Sequence, residues 1–336
     1  MDHWRRCLLA GHLFESLAVS RVAAAAKTTR LPVKQLLLVL GVVATLYALA
    51  LLLWGDSPKI SLAVLWSWTG LQAAALCLAN YLLRGLRWRL WMAHYGRHFG
   101  WFEGLRLYLA GYAFTPTPGN VGEAVRGLML ARQPLSTAQS LAIFGAERLA
   151  DLLCLLLLCL PVAAWGLHRA ELHAAPNLLL WLVAAGVFFL LILAGLLAAY
   201  RARLSQWLAQ FLWLREAWRC LALHPLRWFA LTLLAWAAQG LAVWLLCGAM
   251  TLHLPLLSAV GSYAVAMVAG ALSALPAGLG GMEAALTGLL VLQGASTAQA
   301  LALTILTRLL TLWLAVAIGL AALLYSAAIA KDIRFS

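Results

Sequence analysis

The chain has 336 residues, of which 65% are hydrophobic and 10% charged, with 16 tryptophans and a mean hydropathy of +0.91, far from the soluble norm of about half apolar and a quarter charged. A water-soluble enzyme is excluded, and an all-α polytopic membrane protein is expected. The formal net charge of +13 would suggest nucleic acid in a soluble chain; here the basic residues flank apolar runs, so they are read as setting membrane orientation and no nucleic acid is expected.

Residues 1–35 hold no uninterrupted apolar core and read as a cytoplasmic, interfacial amphipathic segment, not a secretory signal. Residues 36–330 are expected to form a single membrane domain. Runs near the roughly 20 residues needed to cross a bilayer lie at 36–54, 62–83, 141–165, 178–200, 228–250 and 298–328. Shorter or broken runs lie at 101–114 and 257–292. The expected architecture is therefore six full transmembrane helices plus two re-entrant broken hairpins.

Six Lys/Arg precede the first span, four follow the second (Arg84, Arg87, Arg89, Arg97) and five lie between Arg201 and Arg227. The positive-inside rule assigns all of these to the cytoplasm. The stretch from Arg201 to Arg227, interleaved with Trp207, Trp213 and Trp218, reads as a helix lying at the cytoplasmic surface. The six cysteines are scattered without metal or disulfide spacing, as expected of small buried apolar residues. His94 and His98 have helical i, i+4 spacing but no acidic or cysteine partner nearby, so no metal site is expected.

A second feature runs through the chain: Glu123, Ser136-Thr137-Ala138-Gln139 and Arg148 return, without a gap, as Glu283, Ser296-Thr297-Ala298-Gln299 and Arg308, 160 residues later. Trp68 with Trp228, Ala124 with Ala284 and Leu141 with Leu301 share the frame. The copies span about 62–165 and 228–328. If both hairpins are re-entrant, three crossings separate the two long helices, and the copies are inverted. Inverted repeats with interrupted helices point to a transporter with its substrate site where the repeats meet.

Each Ser-x-x-Gln fits a capping box and marks a helix start. Arg148 and Arg308 each lie 12 residues further on, about 18 Å along the helix at about 1.5 Å per residue, near the middle of a hydrocarbon core of about 30 Å. A cation at that depth costs at least about 2.5 kcal/mol, so each arginine must face a polar interior. Glu147 and Asp151 flank Arg148, as charge partners or as a proton-coupling pair, while Thr307 and Thr311 stand in the second copy. Glu123 and Glu283 are expected to pair across the copies, with Arg308 and Arg148 respectively. The breaks themselves (Pro118, Gly119 and Gly122 in one copy; Pro276, Gly278, Gly280 and Gly281 in the other) supply turns and close backbone approach. Such non-helical backbone at membrane depth must line protein or a cavity.

Pro118-Gly119-Asn120-Val121-Gly122-Glu123 with Arg126, Glu147-Arg148-x-x-Asp151, and Pro276-Ala277-Gly278-Leu279-Gly280-Gly281-x-Glu283 with Arg308 resemble the transmembrane, flippase-like domain of the lysylphosphatidylglycerol synthases and their stand-alone relatives, over about 36–328. The resemblance implies an all-helical module with paired re-entrant hairpins that moves phospholipids or other anionic lipids, polyprenyl-linked cargo included, between leaflets. It also implies lipid- or glycan-biosynthesis enzymes as possible partners. The chain ends at Ser336, leaving no room for the aminoacyl-transferase domain of bifunctional members, so translocation alone is expected.

In this scheme Arg148 and Arg308 hold the phosphate, with Arg126 at the cytoplasmic mouth. The protein is expected in a bacterial inner membrane with both termini cytoplasmic. Gly278-Leu279-Gly280-Gly281 lacks the Gly-Lys-Ser/Thr of a P-loop, so neither ATP nor another cofactor is expected, and no catalytic residues are assigned. The alternatives are an intramembrane enzyme acting on a lipid phosphate, with Glu123 or Glu283 as base, and a scaffold for a glycan-biosynthesis enzyme.

Overall fold

In the computed structural model, residues 45, 63–115, 123, 124, 126, 135–172, 212–273 and 275–335 are described. The expected span at 178–200, that at 36–54 apart from residue 45, the segment 1–35, and Pro118, Gly119 and Gly122 lie outside them. Among the described residues every regular element is helical. Three of these helices are long and apolar enough to cross a bilayer, Thr137–Gly166, Pro225–Ala249 and Thr297–Ser326. Large apolar side chains such as Trp66, Trp68, Phe102 and Leu226 face outward, as lipid contact requires and water does not favour. The chain is a multi-pass α-helical membrane protein.

Helix α1 (Trp68–His94) starts at Ser67, whose side chain accepts from the Gly70 amide, and ends at Tyr95. It continues eleven residues past the apolar run because the buried stripe does not stop there: Ala73, Cys77, Asn80, Tyr81, Arg84, Arg87, Trp88 and Trp91 recur at helical spacing and are all buried. Arg84 and Arg87, expected among the cytoplasmic flanking charges, thus lie in the protein interior. Helix α2 (Trp101–Ala110) runs into a buried 3-10 turn, Gly111–Phe114. Helix α3 (Thr137–Leu172) is the long helix of the first half. A short helix, α4 (Leu212–Ala222), leads through His224, in left-handed backbone, into α5 (Pro225–Ala249).

Helices α6 (Leu256–Leu272) and α7 (Gly281–Leu292) pack on each other as a hairpin. At about 1.5 Å per residue α7 is about 18 Å long, too short for a core of about 30 Å. The turn between them is tight: Gly278 sits at φ +68°, and a Cβ there would lie 3.0 Å from the Gly270 backbone. A Cβ on Gly281 would lie 2.8 Å from that of Ser273. Helix α8 (Thr297–Arg308) passes through a π-helical turn, Leu309–Trp313, into α9 (Leu314–Phe335).

Helices α1 and α5 pack along their length in opposite directions. Asn80 donates to the Ala235 carbonyl and, two turns further along α1, Arg87 donates to Thr232, three residues earlier on α5. The remaining packing is reciprocal: α2 and its 3-10 turn lie against α9, and α6 lies against α3. Glycines let both pairs approach, as small residues do between membrane helices. A Cβ on Gly319 would lie 2.5 Å from the Ala113 nitrogen, and one on Gly261 2.7 Å from Val162 Cγ2.

Candidate functional site

Both long helices begin at the predicted serines. Ser136 Oγ accepts from the Gln139 amide, and Gln139 returns a carbonyl oxygen to the Ser136 N–H, a complete capping box. Ser296 Oγ likewise accepts from the Gln299 amide, but the Gln299 side chain donates to the Met250 carbonyl at 2.6 Å and ties α8 to the end of α5. These starts fix where Arg148 and Arg308 fall on their helices.

Around Arg148 the interior is ionic. Asp151 accepts from Arg84 at 2.7 Å and from Arg87 at 2.6 Å, and lies 3.5 Å from Arg148. Glu147 accepts from Arg126 at 3.2 Å and lies 3.9 Å from Arg87. Glu123 accepts from Arg126 at 2.8 Å and from Arg148 at 3.4 Å. Three guanidiniums (Arg87, Arg126, Arg148) and three carboxylates therefore form a closed ring of contacts, and Arg84 joins it at Asp151. Six of the seven side chains are at least nine-tenths buried, and Arg148, 31% exposed, is the one opening outward. Trp236 Nε1 donates to Asp151 as well, and the Arg126 guanidinium stacks 4.6 Å over Tyr108.

The second half is simpler. Arg308 donates to Glu283 at 2.7 Å and to the Ala277 carbonyl at 3.0 Å. Ala277 lies in the hairpin turn at φ 55°, so the arginine reads the broken backbone directly. The expected cross-copy pairing of Glu123 with Arg308 and Glu283 with Arg148 is corrected: each glutamate bonds the arginine of its own half, 25 residues downstream in both cases. The physical reason is local. In the second half Glu283, in the first turn of α7, meets Arg308 once α8 folds back beside α7, a shorter loop closure than any contact between halves.

Arg148 and Arg308 nonetheless meet, at one cavity of about 90 Å³, room for several waters. Its wall draws on both halves: Arg84, Tyr81, Tyr112 and Glu123 from one side, Trp236, Gln239, Tyr263, Arg308 and Thr311 from the other. Tyr263 donates to Gln239 at 2.9 Å, and the Tyr81 hydroxyl lies 3.0 Å from the Leu310 and Thr311 carbonyls of the π turn. A π turn leaves carbonyls without their usual helical donors, and Tyr81 fills that need beside Arg308.

Of the predicted site residues, Arg148, Arg308 and Glu123 line this cavity. Asp151, Glu147 and Glu283 stand behind them as ion partners. Gly278, Gly280 and Gly281 shape the hairpin turn, together with Pro276. Arg126 is buried to 2% and lines a smaller recess with Glu123 and Glu147, not the main cavity. Sequence reasoning missed Arg84, Arg87, Tyr81, Tyr263 and Trp236. The signal for the two arginines was available: Arg84, Arg87, Trp88 and Trp91 continue the buried stripe of Cys77, Asn80 and Tyr81.

Away from the site, the described cysteines Cys77, Cys154, Cys159, Cys220 and Cys247 are free and buried. At the end of α4, burial pushes the Cys220 thiol up to about 11, the behaviour of an inert thiol.

These features define a class: a multi-pass helical membrane protein with an arginine-lined cavity among its helices. The family model of the lysylphosphatidylglycerol synthase TM region matches residues 19–319, and the chain belongs to that family, a membrane domain linked to flippase-like movement of lipids. No curated protein matches the chain.

Proposed function

We propose that the protein moves an anionic lipid between the leaflets of a bacterial inner membrane, as a flippase or scramblase, with the lipid phosphate resting between Arg148 and Arg308. The observation that carries this reading is that two arginines 160 residues apart line the same cavity. A membrane protein keeps buried cations at a cost, and breaking a buried pair by removing one partner costs about 3–5 kcal/mol. Guanidiniums match phosphate oxygens bidentately, which gives that cost a use. Arg126 acts through Glu123, and Asp151 and Glu147 act as counter-charges that hold the arginines in place.

In the same reading the halves are inverted repeats, α6–α7 is a re-entrant hairpin whose first-half counterpart begins with the broken run at 101–114, and both termini are cytoplasmic. The antiparallel packing of α1 on α5 and the reciprocal packing of α2 on α9 and α6 on α3 support this. Acyl tails stay in lipid while the head crosses. Enzymes of lipid or glycan synthesis are the partners such an activity would serve.

The test is to reconstitute purified protein in vesicles carrying a fluorescent anionic lipid, follow its leaflet exchange by quenching, and chromatograph the lipid afterwards. Exchange of a chemically unchanged lipid supports translocation. A new chemical species in place of exchange would make the protein an enzyme.

A further inference from the structure

Away from the cavity, helix α4 carries two unlike faces. Trp213, Ala217 and Cys220, at i, i+4 and i+7, turn toward the protein, while Arg215, Trp218, Arg219 and Ala222, at i, i+3, i+4 and i+7, turn away from it. Trp218 is 71% exposed, and just past the turn into α5 Leu226 is 82% exposed and Arg227 is exposed too. The inward face is held firmly. Trp91 Nε1 donates to the Cys220 carbonyl at 2.8 Å and Trp228 Nε1 to the Leu221 carbonyl at 2.7 Å, and a Cβ on Gly145 of α3 would lie 3.3 Å from Trp213 Cζ3.

Helix α5 sets the depth of this face. Its middle is Ala237, and Arg227 lies ten residues before it, about 15 Å at about 1.5 Å per residue, the half-thickness of a core of about 30 Å. The indole bond from Trp228 to Leu221 keeps the end of α4 at the same level. The outward side chains therefore stand where acyl chains meet headgroups, a position in which an apolar side chain enters the lipid and an arginine stem lies along it with its charge outside.

The charge there is positive. Arg215 and Arg219 lie 4.0 and 2.6 Å from Glu216, two cations on one carboxylate, and Arg227 adds a third cation. The stretch 172–211 that leads into α4 contains no Asp or Glu. By contrast, residues 63–83 and 228–282, which include the opposite ends of α1 and α5, contain no charged residue.

We infer that Arg215, Trp218, Arg219, Leu226 and Arg227 form a peripheral lipid site, separate from the cavity, that gathers anionic headgroups of one leaflet against α4. Basic residues close to a bilayer surface attract anionic lipid over zwitterionic lipid, and the exposed tryptophan and leucine hold the face in the bilayer while they do so. The inference is independent of translocation, since it concerns lipid held at equilibrium on the outside of the fold.

The experiment places a fluorophore on Ala222→Cys, in a Cys7→Ser background, with the protein reconstituted in phosphatidylcholine vesicles. Quenching is compared between phosphatidylglycerol and phosphatidylcholine that carry the same nitroxide high on the acyl chain, at equal mole fraction. Phosphatidylglycerol should be favoured at this position by about fivefold or more, the order expected of even one uncompensated basic residue at a surface. The preference should shrink in high salt. It should fall toward one in Arg215→Gln/Arg219→Gln/Arg227→Gln, whose three side chains are exposed and whose melt checks that the fold is kept. A fluorophore on Trp66→Cys, before the start of α1, should show no preference. Equal quenching by the two lipids at Ala222→Cys, or a preference that the triple variant retains, overturns the inference. A fluorophore shielded from both lipids means that another protein covers the face, and overturns it as well.

Discussion

Replacing Asp151 by asparagine keeps the shape of the side chain and removes its charge. Asp151 meets Arg84 at 2.7 Å, Arg87 at 2.6 Å and Arg148 at 3.5 Å, and its own side chain is 7% exposed. The substitution therefore leaves guanidiniums buried with too little counter-charge, a loss of about 3–5 kcal/mol. Asparagine still offers one carbonyl oxygen, so the expected loss lies near about 3 kcal/mol. At about 2–4 °C per kcal/mol for a chain of this size, the melting temperature in detergent should fall by about 6–12 °C, read by circular dichroism.

Two controls sharpen the prediction. Thr311, the uncharged second-half counterpart, donates to the Thr307 carbonyl within its own helix, so Thr311→Val should cost about 1 kcal/mol. Combining Asp151→Leu with Arg84→Met and Arg87→Met removes cations and anion together and should recover much of the loss, since whole buried ion clusters are often replaceable by apolar groups. An Asp151→Asn protein that melts with the wild type would refute the view that this carboxylate anchors the site.

Further outcomes follow from the same geometry. Gly278→Ala forces an L side chain into left-handed backbone and against Gly270 at 3.0 Å, and should cost more than the about 1–2 kcal/mol of left-handed strain alone; Gly280→Ala, with its nearest contact at 3.7 Å, should show the strain without the clash. Ser136→Ala removes the cap of α3 and should lower stability by about 1 kcal/mol, measurable by the same melt. Tyr81→Phe removes the donor facing the Leu310 and Thr311 carbonyls, costing about 0.5–1.5 kcal/mol, with faster amide exchange across 309–313 as its local signature.

Much of this site is legible in the chain because duplication prints the same constraint twice. The capping serines fix the starts of α3 and α8, and a cation 12 residues beyond each must find an interior. The partners are less legible. Glu123 and Glu283 stand at equal separations from their arginines, so spacing alone does not say whether the contact is within a half or between halves; chain connectivity decides it. Arg84 and Arg87 sit at the edge of an apolar run, where an interior cation and an orientation-setting one look alike. What separates them is the helical phase of Trp88 and Trp91, which carry the buried face of α1 onward.

The asymmetry between halves is visible in the sequence as Glu147 and Asp151 against Thr307 and Thr311. In the fold those two acids of the first half meet Arg84 and Arg87. Arg126 shows the opposite limit: its motif marks it as part of the site, yet its placement beneath Tyr108 depends on packing that no spacing encodes.

The most direct measurement is the leaflet exchange of labelled phosphatidylglycerol by wild-type protein, Arg148→Ala, Arg308→Ala and the double variant, each verified as folded. On the proposal that the two guanidiniums hold one phosphate, each single variant should be nearly as inactive as the double, the non-additivity of residues that act as a unit. A folded double variant that exchanges the lipid at the wild-type rate would contradict the account.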